Sequence, residues 1–295
     1  MIKLIMQTIQ NETLQHLVGP ICLVDADLLD GGTRFPNLAV MKLSGYFKER
    51  GCSVTLAEDF SVINPADFEA VFVSKVFDFT KVDDALLDMP NVYCGGTGFF
   101  FDKATPLPYE IEHHMPDYHV YDDFIANDTK HVKQKTFWKD YRDYSIGFAT
   151  RGCFRQCPFC VNRHYKKVEF NAHISEFHDP ATKGIILLDD NILGYAKWKE
   201  VFAELTDINK PFVFKQGMDI RLMTTEKARI LDGVRYIDDF IFAFDNIEDA
   251  PEIEQKLKLW REHCNKPTKL YVLSGFVGTG GGRNRRYISA YRNTS

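Results

Sequence analysis

The chain lacks any apolar stretch of about 18 residues, so nothing in it reads as a membrane-spanning helix. It has no excess of positive charge either: 36 Lys and Arg stand against 41 Asp and Glu, a net charge of −5 at pH 7. That balance excludes a general nucleic-acid surface and leaves room only for a local basic patch. The cysteines number seven, an odd count with three of them clustered. A disulfide framework is therefore not expected, and a reducing compartment is. Met1 to Gln10 carries one lysine and a short apolar run broken by Gln7 and Gln10, which is a poor secretory signal. A cytoplasmic location follows as the expectation. No internal repeat or low-complexity segment is evident. The chain does have an ordinary globular composition, 45% hydrophobic and 26% charged over 295 residues. That length suits one large or two ordinary domains.

The cluster of cysteines is the most informative feature. Cys153, Cys157 and Cys160 form a C-x3-C-x2-C run within Ala149-Thr150-Arg151-Gly152-Cys153-Phe154-Arg155-Gln156-Cys157-Pro158-Phe159-Cys160. Three closely spaced thiolates can hold three irons of a [4Fe–4S] cluster, which usually has four cysteine ligands. No fourth cysteine lies nearby, so one iron would stay open for other chemistry. The competing readings are a zinc site, for which only His164 is close enough to serve as a fourth ligand, and three inert buried thiols.

With Phe159 before the last cysteine, the motif resembles that of the radical S-adenosylmethionine (SAM) superfamily. The resemblance implies that Cys153, Cys157 and Cys160 bind the cluster and that SAM chelates the open iron through its amino and carboxylate groups. It further implies reductive cleavage of SAM to a 5′-deoxyadenosyl radical, with the electron drawn from a donor such as flavodoxin or ferredoxin. The cofactor would carry the difficult chemistry and the protein would orient it. Phe159 is expected at the cofactor. No catalytic residue can be assigned, and the substrate is not legible, because one cluster serves methylation, rearrangement and sulfur insertion alike.

The order of segments predicts an α/β fold. Ile21–Asp27, Ser53–Ala57, Ala70–Ser74 and Asn91–Cys94 read as strands. Leu38–Arg50 and Val82–Met89 read as helices, and Leu28–Asn37 as a glycine-rich loop. Strands alternating with helices argue for a parallel, doubly wound sheet over 1–125. Residues 126–143, at the end of a proline-, acid- and aromatic-rich stretch from about Asp102, are expected as a connector. His113 and His114 then sit in a solvated linker. A second alternation follows over 144–276: strands Tyr144–Thr150, Gly184–Leu188, Phe212–Lys215, Asp239–Phe244 and Leu270–Leu273. Helices Ala196–Leu205, Thr225–Leu231 and Ile253–His263 intervene. The resemblance implies the partial (β/α)6 barrel of that superfamily. A sixth strand cannot be read, and 277–295 is expected as a flexible Gly/Arg-rich tail of a barrel truncated at its C-terminus.

Further candidates sit where strands end, as barrel sites do. Asp189-Asp190-Asn191 follows a strand; the resemblance gives it the place of the superfamily's Gly-Gly-Glu, on SAM's ammonium. Helix capping is its plainer reading. Gln216 and Arg221, with Lys215 and Asp219, follow the next barrel strand. Arg221 is a candidate partner of SAM's carboxylate, or else a surface ion pair. Ser274 and Gly275 are candidates beside the adenine. In the N-terminal part, Asp25–Asn37 and Gly95–Gly98 resemble the loops of the cobalamin-binding-like domains that precede some radical SAM domains. Cobalamin is thus a candidate cofactor, although the Asp-x-His-x-x-Gly cobalt signature is missing. Cys22, Cys52 and Cys94 raise a last alternative, the second cluster of the tRNA methylthiotransferases. A non-catalytic iron–sulfur or zinc module is the remaining one.

Overall fold

The computed structural model describes residue 14 and residues 16–32, 35–134 and 136–273. The fold is α/β with parallel sheets. It divides into two compact units. The first holds the described residues up to Ile146 together with Ser175–Thr182; the second holds Gly147–Ile174 and the described residues from Lys183 onward.

Strands β1 (Ile21–Asp25), β2 (Val54–Leu56), β3 (Ala70–Ser74) and β4 (Val92–Gly95) of the first unit form one parallel sheet in the order β2-β1-β3-β4. Every residue of β1 and β3 is buried, as their unbroken apolar runs require of central strands covered on both faces. Alternation then sorts the core in two. Ile21, Leu23 and Phe72 pack with Met41 and Phe47 on one face, while Cys22, Val24, Val71 and Val73 pack with Leu86 and Leu87 on the other. The helix Leu38–Glu49 is capped by Asn37, whose Oδ1 accepts from Ala39 N and Val40 N.

Two expectations are corrected here. Leu28 and its neighbours are not loop, because Ala26–Gly31 is a helix capped by the Asp25 carboxylate and ended at Gly32; the paired glycines mark its stop. The segment from Asp102 to Asp143 is not a solvated linker. Its helices are short, Tyr109–Glu112, Asp122–Ala126 and Lys139–Arg142, so no helical period persists. Yet Ile111, Tyr121, Trp138 and Tyr141 lie in the same core as Phe47 and Phe72. His113 pairs with Glu176 at 2.6 Å, and His114 pairs with Glu49.

The order of the first sheet reverses between β1 and β3, where doubly wound sheets bind their ligands. Side chains of the unit itself fill that place. Tyr121 donates to Asp25 Oδ2 at 2.8 Å and accepts from Asn37 N at 3.0 Å, and Asn37 Nδ2 donates to Ser74 Oγ at 2.9 Å. Asp27 accepts from Val76 N, Phe77 N and the Thr80 hydroxyl.

In the second unit β8 (Gly184–Leu187) pairs in parallel with β9 (Phe212–Phe214), and β10 (Phe240–Phe244) with β11 (Thr268–Val272). Parallel bridges Phe212–Tyr236 and Met218–Phe242 join the two pairs. The strands thus advance in chain order. Gly147, which ends the strand β5 (Tyr144–Gly147) and opens this unit, accepts through its oxygen from Leu188 N at 2.9 Å. The helices Trp198–Ile208, Thr225–Gly233 and Ala250–His263 follow successive strands. Trp260 of the last helix packs edge-on against Phe240 and Phe242, with ring centroids 5.0 and 5.2 Å away. The short antiparallel pair β6 (Thr150–Arg151) and β7 (Glu169–Phe170) brackets the cysteine segment. Among the described residues no helix is long and apolar enough to cross a membrane. The tail 277–295 lies outside the described residues.

Burial pushes the Asp25 carboxyl up to about 7. The folded chain therefore holds a proton that the unfolded chain releases near pH 4, and this group's share of stability falls as pH rises from about 4 to about 7. Urea titrations at pH 5 and pH 8 should show a smaller loss for Asp25→Asn than for the parent. Tyr121→Phe, which orphans Asn37 N and one Asp25 oxygen, should cost roughly 1–3 kcal/mol.

Candidate metal and cofactor site

The turn after β8 organises the site. Leu188 N is tied to Gly147, so the next three side chains are presented side by side at the strand's end. Asp189 is 3% exposed and accepts from Ala149 N at 3.2 Å, Thr150 N at 2.6 Å and Thr150 Oγ1 at 2.6 Å. Burial pushes its carboxyl up to about 7 against the pull of those donors. Asp190 accepts from Gly152 N at 2.7 Å through Oδ2 and from Asn162 Nδ2 at 2.5 Å through Oδ1. Asn191, 2% exposed, donates its Nδ2 to Cys153 Sγ at 3.4 Å. Its Oδ1 is buried with no hydrogen-bond partner, alone in that among buried side-chain nitrogens and oxygens of the described residues.

The cysteine loop is built for close quarters. Gly152 has φ +88°, and a Cβ there would meet the Tyr165 ring at 2.6 Å and Lys167 O at 2.7 Å. Only glycine satisfies both demands. Cys160 N closes a turn on Cys157 O at 3.0 Å. Arg155 N and Asn162 N donate to Cys153 Sγ and Cys160 Sγ, each at 3.4 Å. Cys153, Cys157 and Cys160 are half-buried free thiols, whereas Cys22, Cys52, Cys94 and Cys264 are buried.

Two more carboxylates frame the loop. Asp219 receives Arg155 Nε at 2.6 Å, from within the loop, and Arg221 Nε at 2.7 Å. Arg221 also donates to Asp249. Asp245, just past β10, raises the Cys157 thiol together with burial and the neighbouring thiols. Burial also raises Cys160, with Asp190 adding to it.

Of the expected cofactor residues, the structure brings Asp189, Asp190, Asn191 and Arg221 to this loop's surroundings. The Asp189 and Asp190 carboxylates accept from backbone, hydroxyl and amide donors; among the described residues Asn191 Oδ1 is the one buried side-chain acceptor without a partner. Arg221 is committed to Asp219 and Asp249. Phe159 is half-buried in the loop and Gln216 is exposed beyond β9. Ser274 and Gly275 lie outside the described residues. Asp219 is where the strand-end reading expects a site residue, whereas Gly152, Arg155, Asn162 and Asp245 are additions that the structure makes. Asp245 carried a usable signal, since it directly follows a strand, as site residues in such folds do.

Three thiols on one loop are the donor type that a [4Fe–4S] cluster takes, while among the described residues no three His, Cys, Asp or Glu side chains are grouped so as to hold a metal ion. The cavity at the ends of β3 and β4, lined by Ser74, Tyr93, Gly95 and Gly96, is about 60 Å³, and another of about 400 Å³ is lined by Thr55, Leu56, Ala57 and His119. A Cβ on Gly96 would lie 2.2 Å from Lys75 O, so that glycine serves backbone packing, not approach to a phosphate or corrin. Nor do Cys22, Cys52 and Cys94 gather for a second cluster: Cys22 and Cys94 lie in one apolar core and Cys52 in the other. Burial pushes Cys22 up to about 12 and Cys94 to about 11, as inert thiols. Compared with protein-family models, curated proteins and solved structures, the chain finds no match in any of the three.

Removing the Asp189 carboxylate leaves three buried donors without an acceptor. Asp189→Ala should therefore cost roughly 3–5 kcal/mol in a urea titration, and Asp189→Asn clearly less because one oxygen remains.

Proposed function

We propose that the chain is a radical SAM enzyme, with the strands from β5 to β11 and their helices forming the partial (β/α)6 barrel of that superfamily. One observation carries the reading. Three half-buried thiols on a preformed loop stand beside a buried amide oxygen, Asn191 Oδ1, that has nothing to accept from. An unpartnered buried acceptor is costly, and a ligand with N–H donors removes that cost.

Cys153, Cys157 and Cys160 would hold the cluster. When bound, the cluster supplies one electron to the sulfonium of SAM, whose cleavage gives methionine and a 5′-deoxyadenosyl radical. The chain's own part is positional. Asn191 Oδ1 accepts from the ammonium of SAM, and its Nδ2 steadies Cys153. Asp245 lies close enough to act on Cys157, and a carboxylate there would suit a cationic sulfonium. Arg155, fixed by Asp219, ties the middle of the loop to the segment after β9.

Anaerobic reconstitution tests this. The parent should take up about four irons per chain, and the Cys153→Ala, Cys157→Ala, Cys160→Ala variant none. With dithionite and SAM it should form 5′-deoxyadenosine. Asn191→Leu should keep its iron and weaken SAM binding roughly tenfold or more, the worth of one hydrogen bond to a charged group. Iron without 5′-deoxyadenosine would mark a cluster-binding module with no such activity. About eight irons per chain would revive the methylthiotransferase alternative.

A further inference from the structure

The cysteine loop begins and ends on one carboxylate. Gly152, one residue before the first cysteine, and Asn162, two residues after the last, both donate to Asp190, at 2.7 and 2.5 Å and to different oxygens. We propose that Asp190 is a clip that shapes the cysteine loop in the metal-free chain, and not a contact of the SAM ammonium. This deepens the reading above and rests on it for what the loop is for.

The physical case is one of loop entropy and valence. A flexible segment that must present three thiols in one geometry loses conformational freedom when it does so, and tying its ends together in advance removes part of that loss from the binding step. A carboxylate suits this task because it is acceptor-only and has two oxygens for two donors on opposite sides. An asparagine would offer one oxygen and set an amide against the other donor. Burial raises the Asp190 carboxyl, and the Gly152 N–H, Arg151 and His164 pull the other way. The partition among the three neighbours is then complete. Asp189 holds the strand that leads into the loop, through Ala149 and Thr150. Asp190 closes the loop. Asn191 faces the cysteines with a vacant oxygen.

The clip is a positioning device, so its test needs a readout that loss of a SAM contact would not move. Amide hydrogen exchange is measured on the metal-free full chain, parent against Asp190→Ala and Asn162→Ala. Cluster assembly from ferrous iron and sulfide is then timed by absorbance, and SAM affinity is measured on the filled protein. The clip requires exchange over 152–162 to accelerate by roughly tenfold in Asp190→Ala, with exchange in β8 and β9 unchanged. It requires assembly to slow by a similar factor, and SAM affinity per filled site to stay within about twofold. Asn162→Ala, which removes only one arm, should show the same changes in smaller measure; it decides the matter if Asp190→Ala does not fold. Unchanged exchange over 152–162 in either folded variant overturns the clip. So does a fall in SAM affinity with assembly unaffected. A parent chain that takes up no iron would sink the enzyme reading, while the exchange measurement would still decide the clip.

Discussion

A buried carboxylate that accepts from the backbone of a neighbouring strand end is the contact on which the second unit's site depends. Asp189 takes three hydrogen bonds from Ala149 and Thr150, and so fixes the point where the chain leaves β5 for the cysteines. Buried carboxylates are tolerated only when such donors surround them. Once Asp189 is anchored, its two successors have fixed places. Asp190 meets both ends of the loop and Asn191 meets Cys153. Three consecutive side chains thus convert the end of one strand into a holder for the thiols.

The two units treat the ends of their parallel strands in opposite ways. In the first, the polar groups there satisfy one another: Asp25 with Tyr121, Asn37 with Ser74, Asp27 with the backbone of Val76 and Phe77. Among the described residues no buried side-chain nitrogen or oxygen there is left without a partner, and the cavity at the ends of β3 and β4 is about 60 Å³. In the second, one acceptor is left over, Asn191 Oδ1, and it lies beside half-buried thiols. Polar groups satisfied in full read as structure, and a buried group left unsatisfied reads as a place for a ligand.

Much of this was legible before any coordinates. The apolar runs of β1, β3 and β8 mark strands because central parallel strands are buried on both faces, and a run such as Gly184–Leu187 has few other uses. The cysteine spacing and the Asp189-Asp190-Asn191 run were equally plain. What escaped has physical reasons. The segment around Tyr121 and Trp138 is buried by aromatics that follow no period, since its helices Asp122–Ala126 and Lys139–Arg142 are too short to set one. The tasks of Asp189 and Asp190 are set by backbone N–H groups some forty residues back in the chain, and a sequence shows acceptors but not which donors fold against them. Arg221 looked free for a carboxylate because the carboxylate it actually serves lies two residues away and is common in any sequence.

The proposed reading stands or falls on whether one iron of a cluster held by Cys153, Cys157 and Cys160 is open to SAM. Electron paramagnetic resonance of the reconstituted, reduced full chain, recorded with and without SAM, tests this most directly. An open iron predicts the signal of a reduced [4Fe–4S] cluster whose g-values shift when SAM is added, and a diminished shift in Asn191→Leu at subsaturating SAM. A signal that SAM leaves untouched, or no cluster signal at all, would contradict it.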